Sequence, residues 1–276
     1  MELVVFDLDG TLLNRASQIS PLTRRALQQL ARRGIAYTVA TGRTLHASRD
    51  VLHGQGFTLP HIYKNGVMIW HPARSQYSHT SLLTLGELRH VLQAVLAQGI
   101  APFIFTIEPG NRHAIYHPPL LSDIERRLAE DFASRGEVEV LPVAQMPADA
   151  DITNISALGE PAAIDAVGAM VADEPALIAY AGTALEGARF KWIDIHHGQA
   201  SKGNAVAILR DELGARRVLC FGDSENDLSM FAAADESYAP DNAKPAVLAA
   251  ATAVIGHHDE DGVARFLIER FGLESG

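Results

Sequence analysis

Short apolar runs that each end on a polar cluster, with capped helices between them, constrain this chain more than any other feature. Residues 3–8 form a near-continuous apolar run, the pattern of a strand covered on both faces. Ser20-Pro21 then opens a helix with a hydroxyl N-cap and a first-turn proline, and Gly34 closes it. Residues 35–40 read as a second strand. Strand, helix, parallel strand is the grammar of an open α/β sheet. After Thr41-Gly42-Arg43 a helical stretch runs to about Gly54, and Asn65-Gly66 between two apolar runs signals a hairpin.

The rhythm changes near Leu83. Leu85, Leu88, Leu92 and Val95 share one helix face, followed by strands at 103–107 and 113–116 and a helix over 121–135. Strands near 138–141 and 152–157, a helix over 162–172, and strands at 177–180 and 190–195 complete an α+β set. The α/β grammar resumes at Lys202, with a helix to Leu213, a strand at 218–221 and a helix from Glu225. Strands near 237–239 and 253–255 and a helix over 263–271 follow. The expected architecture is α/β: a Rossmann-like, doubly wound parallel-sheet core of residues 1–82 and 189–276, with an α+β domain of residues 83–188 inserted.

Length and composition bound the partners. A chain of 276 residues with 47% hydrophobic and 20% charged residues has the material for a sizeable core and shows no disordered block. Its formal net charge of -10 argues against a nucleic acid polymer or an anionic membrane as partner, since both attract basic surfaces. No uncharged run of about 18 apolar residues is present to span a bilayer. The opening Glu2-Leu3-Val4-Val5-Phe6-Asp7 carries no basic leader, and the lone Cys220 sits in an apolar strand and fits a reducing compartment. The expected location is the cytoplasm, and the expected state a monomer or small homo-oligomer.

In open parallel sheets ligands bind beyond the carboxyl ends of the strands. Four polar clusters fall there: Asp7-Leu8-Asp9-Gly10-Thr11, Thr41-Gly42-Arg43, Ser201-Lys202-Gly203 and the run from Gly222 to Asp227. Asp7 and Asp9 are two apart and, on an extended chain, lean to the same side, where two carboxylates repel unless a cation or a proton intervenes. Asp223 and Asp227 can join them from another strand end. That convergence points to a divalent metal held by oxygen ligands, and beside a phosphate to Mg2+. The Thr41 hydroxyl, the Gly42 amide at a helix start and the Lys202 ammonium suit phosphate oxygens. A nucleophile, an acid/base, a metal and an electrostatic cradle are the needs of phosphoryl transfer.

In order and spacing these four segments resemble the four motifs of the haloacid dehalogenase superfamily, across the whole chain. The insertion between the Thr41 and Lys202 motifs resembles the type-2 cap of its Cof-like branch, which contains many metabolite phosphatases. The resemblance implies that Asp7 attacks phosphorus and that Asp9 protonates the leaving alcohol and then activates water. It implies Mg2+ held by the Asp7 carboxylate, the Asp9 backbone carbonyl and Asp223, with Asp227 in support. Thr41, Gly42, Lys202, Asn226 and the Leu8 backbone would hold the phosphoryl oxygens. An Asp at position 9 implies a phosphoester substrate, because branches that cleave carbon–halogen bonds or pump ions lack it. The run Tyr238-Ala239-Pro240-Asp241-Asn242-Ala243 departs from the family's usual Ala-Met-Gly-Asn-Ala, so an altered loop facing the cap is expected there.

Plainer roles compete. Asp227 suits the first turn of a helix on dipole grounds, and Thr41 and Asn226 can be helix caps. The pairs His196-His197 and His257-His258 invite a metal reading, but neighbours on a strand face opposite ways. In the insertion Phe103, Phe105, Tyr116 and Trp192 read as packing, while His113, Arg112, Asn154 and Arg189 are candidates for substrate contact. The expectation is a hydrolase of small phosphorylated metabolites such as sugar phosphates or phosphorylated cofactors. A phosphomutase or phosphotransferase using the same aspartyl-phosphate, or an inactive metabolite sensor, are the alternatives.

Overall fold

A computed structural model describes residues 1–134, 138–184 and 189–274. The chain divides into two compact units, Met1–Thr80 with Ser201–Gly276, and Ser81–Ala200.

The first unit opens with β1 (Glu2–Phe6), α1 (Pro21–Arg32), β2 (Ala36–Val39) and α2 (Leu45–Leu52). The Ser20 hydroxyl caps α1 by accepting from the Thr23 amide at 3.0 Å, and Pro21 supplies a preset φ at the first helical position. A hairpin of β3 (His61–Tyr63) and β4 (Met68–His71) follows, extended by β5 (Gln76–Thr80). Its turn holds Lys64, Asn65 and Gly66 at positive φ, and a Cβ on Gly66 would sit 2.2 Å from the Ser201 carbonyl oxygen.

The second unit contributes α3 (Leu85–Ala97), β6 (Phe103–Glu108), β7 (Arg112–His117), α4 (Asp123–Ser134), β8 (Glu139–Pro142), β9 (Asp151–Gly159), α5 (Pro161–Ala172), β10 (Leu177–Thr183) and β11 (Lys191–His197). Its six-stranded sheet runs β10-β11-β9-β6-β7-β8. Ile104, Ile155, Ile193 and Ile195 pack with Val91 of α3 and Val167 of α5 on one face. On the other, Phe103 and Ile115 pack with Ala129 of α4. The expected return to the core at residue 189 is therefore too early. β11 pairs antiparallel with both β9 and β10, so residues to Ala200 stay with the insertion. Residue 135 of the expected helix, and residues 135–137 and 185–188 of the expected domain, lie outside the described ones.

The chain then completes the first unit with α6 (Lys202–Leu213), β12 (Arg217–Phe221), α7 (Leu228–Ala233), β13 (Glu236–Pro240), α8 (Pro245–Ala250), β14 (Ala253–Ile255) and α9 (Gly262–Phe271). Its main sheet is parallel throughout, in the order β14-β13-β12-β1-β2. Val4 and Phe6 of β1 face Leu27 of α1 and Leu267 of α9. Leu3 and Val5 face Val206 of α6 and Met230 of α7. Helices thus cover both faces, which is why β1 is apolar at successive positions rather than at every second one. The carboxyl ends of β1, β2 and β12 lie side by side.

Candidate active site

Phe6 stands opposite Phe221 in the parallel register, and the Asp7 amide donates to the Phe221 carbonyl at 2.9 Å. Asp7 and the loop from Gly222 therefore leave the sheet together. That loop curls back so tightly that a Cβ on Gly222 would meet the Asp227 side chain at 2.5 Å. Asp227 closes the curl: its Oδ2 accepts from the Asp223 amide at 2.8 Å and the Ser224 amide at 3.0 Å. Its Oδ1 accepts from Lys202 Nζ at 2.6 Å. Of the two roles weighed for Asp227, first-turn acid and metal supporter, Oδ2 serves the first, while Oδ1 faces the buried ammonium.

Lys202 is the first residue of α6, whose N-cap Ser201 accepts from the Asn204 amide at 3.1 Å. Its ammonium also donates to Asp7 Oδ1 at 2.6 Å, and Lys202 and Asp227 are both 0% exposed. Burial works against the Lys202 charge, but Asp227 and Asp7 outweigh it and raise its pKa. Burial raises the Asp7 pKa well above the carboxylate norm; Lys202 opposes this, while Asp227 and Asp223 add to it. Asp223 is pushed up to about 6 by burial and then by Asp227. One ammonium thus leaves this cluster short of positive charge.

Oxygens of Asp7, Asp223 and Asp227 all lie within 4.8 Å of one another. Crowded hard oxygen donors with uncompensated negative charge fit a divalent cation of the Mg2+ kind. Gly10 lets the β1 turn approach this trio: it sits at φ 76°, and a Cβ there would be 2.5 Å from Asp223 Oδ2.

Asp9 is placed differently. The strand ends at Phe6 and the chain turns over Leu8–Leu12, so the extended-chain argument that put Asp7 and Asp9 on one side does not apply. The Asp9 side chain, 57% exposed, is gripped by Arg43 and its carboxylate is not in the trio. The Leu8 side chain is buried in the core, which leaves only its backbone for a ligand.

Thr41 and Gly42 follow β2, but α2 begins only at Leu45 with Thr44 as its cap, so Gly42 is not at a helix start and Thr41 is not a cap. The Thr41 hydroxyl accepts from the Arg43 amide at 3.1 Å, and the Thr41 carbonyl accepts from the Asn65 amide at 3.0 Å. Asn226 is likewise not a cap, that place being taken by Ser224; its Nδ2 donates to Asn65 Oδ1 at 2.8 Å. Asn65 and Arg43 are the residues that sequence reasoning passed over. Asn65 reads in the sequence only as the first residue of an Asn-Gly hairpin turn, and the structure holds it there at a left-handed φ of 56°.

Two smaller features border the β1 turn. Asn242, in the departing segment, donates to the Gly10 carbonyl at 2.9 Å and accepts from the His258 amide at 3.1 Å, steadying the β1 turn. His257 and His258 lie at a turn rather than on a strand, with ring centroids 4.9 Å apart, so they do not face opposite ways. Nδ1 of His257 nevertheless accepts from the Asp259 amide, and Nδ1 of His258 meets the Leu13 carbonyl.

Against this geometry, comparison with known proteins is decisive for the family. The sequence model of the haloacid dehalogenase-like hydrolases matches residues 4–267, and the chain belongs to that family. Pyridoxal phosphate phosphatase YbhA of Escherichia coli K12 is 27% identical over 280 residues, covering 96% of each chain. The 5-amino-6-(5-phospho-D-ribitylamino)uracil phosphatase YitU of Bacillus subtilis 168 is 27% identical over 287 residues, covering 98% of each. A solved haloacid dehalogenase-like hydrolase from B. subtilis superposes with a TM-score of 0.78 at 24% identity, over 97% of this chain and 99% of that one. The chain is therefore a hydrolytic enzyme, and the fold expected from its motifs is the fold it has.

Proposed function

We propose that the protein is a Mg2+-dependent phosphatase of small phosphorylated metabolites acting through an aspartyl-phosphate on Asp7. The observation that carries the reading is the buried Lys202 ammonium, 2.6 Å from both Asp7 and Asp227 at the carboxyl edge of the sheet. It fixes a nucleophile-bearing side chain beside a cation able to meet phosphoryl oxygens.

A free Asp7 oxygen attacks phosphorus as the ester P–O bond breaks, and Asp9 gives its proton to the leaving alkoxide. Asp9, now a carboxylate, takes a proton from water; the water oxygen attacks phosphorus and the Asp7–phosphorus bond breaks, releasing phosphate. Lys202, the Thr41 hydroxyl and the Asn226 amide hold the phosphoryl oxygens, with the Gly42 and Leu8 backbone amides. Asp7, Asp223 and Asp227, with the Asp9 carbonyl, would hold Mg2+, which supplies charge neutralisation for the phosphoryl group when bound. The inserted unit sets which leaving group is accepted. Relatives named as phosphatases of pyridoxal phosphate and of 5-amino-6-(5-phospho-D-ribitylamino)uracil support a small phosphorylated metabolite as substrate. We assign the enzyme to the cytoplasm, where such metabolites occur.

The test is phosphate release from a panel of sugar phosphates, nucleotides, phosphorylated cofactors and p-nitrophenyl phosphate, with Mg2+ and with chelator. Release that needs Mg2+ and falls roughly 10³-fold or more in folded Asp7→Asn is expected. Unchanged turnover in that variant would overturn the mechanism.

A further inference from the structure

Arg43 follows Thr41-Gly42 and has no part in the reaction as set out above, yet its placement is tightly determined. Its amide donates to the Thr41 hydroxyl and its carbonyl accepts from the Lys64 amide at 3.1 Å. Nη1 donates to the Ala47 carbonyl in the first turn of α2 at 3.2 Å. Nε and Nη2 then grip Asp9, at 2.7 Å to Oδ2 and 2.5 Å to Oδ1. The guanidinium is the more buried partner, 22% exposed against 57% for the carboxylate.

A partly exposed ion pair contributes little stability. A two-pronged grip does something else: it fixes the plane and direction of a carboxylate whose side chain would otherwise sample several rotamers. Asp9 is the residue for which direction matters, because proton transfer requires hydrogen-bond reach of the leaving oxygen.

We infer that Arg43 is a positioning residue for Asp9, holding one oxygen while the other carries the proton, and that proton delivery to the leaving oxygen depends on its grip. The inference rests on the phosphatase reading. It predicts a defect graded by the leaving group. p-Nitrophenolate departs without a proton, whereas an alkoxide needs one. For a two-step reaction kcat/KM reports only the steps up to cleavage of the ester bond, so the later role of Asp9 toward water does not enter.

The experiment measures kcat/KM on p-nitrophenyl phosphate and on the fastest alkyl ester among pyridoxal 5′-phosphate, glucose 6-phosphate and glycerol 3-phosphate. Arg43→Ala should lower the alkyl value about 10²-fold, and the aryl value about tenfold less than that. Arg43→Lys should fall between, since an ammonium can take one oxygen but cannot form the fork. In an Asp9→Asn background, adding Arg43→Ala should leave the alkyl-to-aryl ratio within about twofold. Partial misfolding lowers both values together and leaves the ratio alone. Equal losses on both esters would overturn the inference. So would a ratio shift that persists without the Asp9 carboxylate, the sign of a guanidinium acting on the leaving group itself. Failure of the phosphatase reading shows separately, as wild-type inactivity on every ester or full activity of Asp7→Asn.

Discussion

Replacing Lys202 by methionine removes a cation that is 0% exposed and 2.6 Å from two carboxylates. Methionine keeps an unbranched apolar stem of similar reach, so the loss is electrostatic rather than a cavity. Breaking a buried ion pair from one side costs about 3–5 kcal/mol, because the partner charge stays behind. Here Asp7, Asp223 and Asp227 all stay behind. The pH dependence has a definite sign. Burial already raises the Asp7 pKa, and Lys202 is the first influence opposing it, so its removal raises that pKa further. A carboxyl with a raised native pKa adds stability that is fully present below its unfolded value and lost as pH rises through the native value. The deficit should therefore be largest near pH 8 and shrink on acidification.

The chain has two tryptophans, Trp70 in β4 of the first unit and Trp192 in β11 of the second. In a Trp192→Phe background Trp70 fluorescence follows only the unit that holds Lys202, which matters because a two-unit chain need not unfold in one step. Urea titrations in EDTA at pH 8 and at pH 5.5, extrapolated linearly, give the two deficits. A loss under about 1 kcal/mol at pH 8, or a deficit that grows with acid, would refute the buried-pair argument.

His61 should make the first unit acid-sensitive in a separate window. Its ring is buried, with Nδ1 3.0 Å from the Tyr63 hydroxyl, and burial lowers its pKa from 6.5 to about 4. A histidine lowered in this way destabilises as pH falls from the unfolded value to the native one, by about 3 kcal/mol in all, and His61→Phe should flatten that part of a urea stability profile. Gly10→Ala should cost about 1–3 kcal/mol from backbone strain and abolish turnover, since its φ is 76° and the new Cβ would collide with Asp223. Wild-type stability and turnover for that variant would show that the β1 turn can relax.

The main sheet was legible because β1 and β12 are short runs buried on both faces, and because Ser20 sits where it caps α1. β5 was not, since Gln76-Tyr77-Ser78 has no apolar alternation, and neither was α8, only six residues long. The late boundary of the insertion has a similar cause: the apolar pattern of β11 would serve either sheet, and only its pairing with β9 and β10 decides. At the site, residue types that carry charge could be read from strand ends. Pairings across 161 residues, as between Asn226 and Asn65, or 232, as between Asn242 and Gly10, leave no local pattern to read.

Asp7 and Asp9 show what the turn between them achieves. Two positions apart, they finish in opposite surroundings: Asp7 6% exposed against an ammonium, Asp9 more than half exposed in the fork of Arg43. A nucleophile benefits from the first setting, where fixed charges replace water and need no rearrangement during reaction. The proposed acid/base must take a proton from the attacking water once in each turnover, and the second setting leaves it within reach of water. On a straight strand both carboxylates would share one environment. Gly10 supplies the bend and Asn242 holds it through the Gly10 carbonyl, so the division of labour proposed for two identical side chains depends on a backbone conformation that few residues other than glycine adopt.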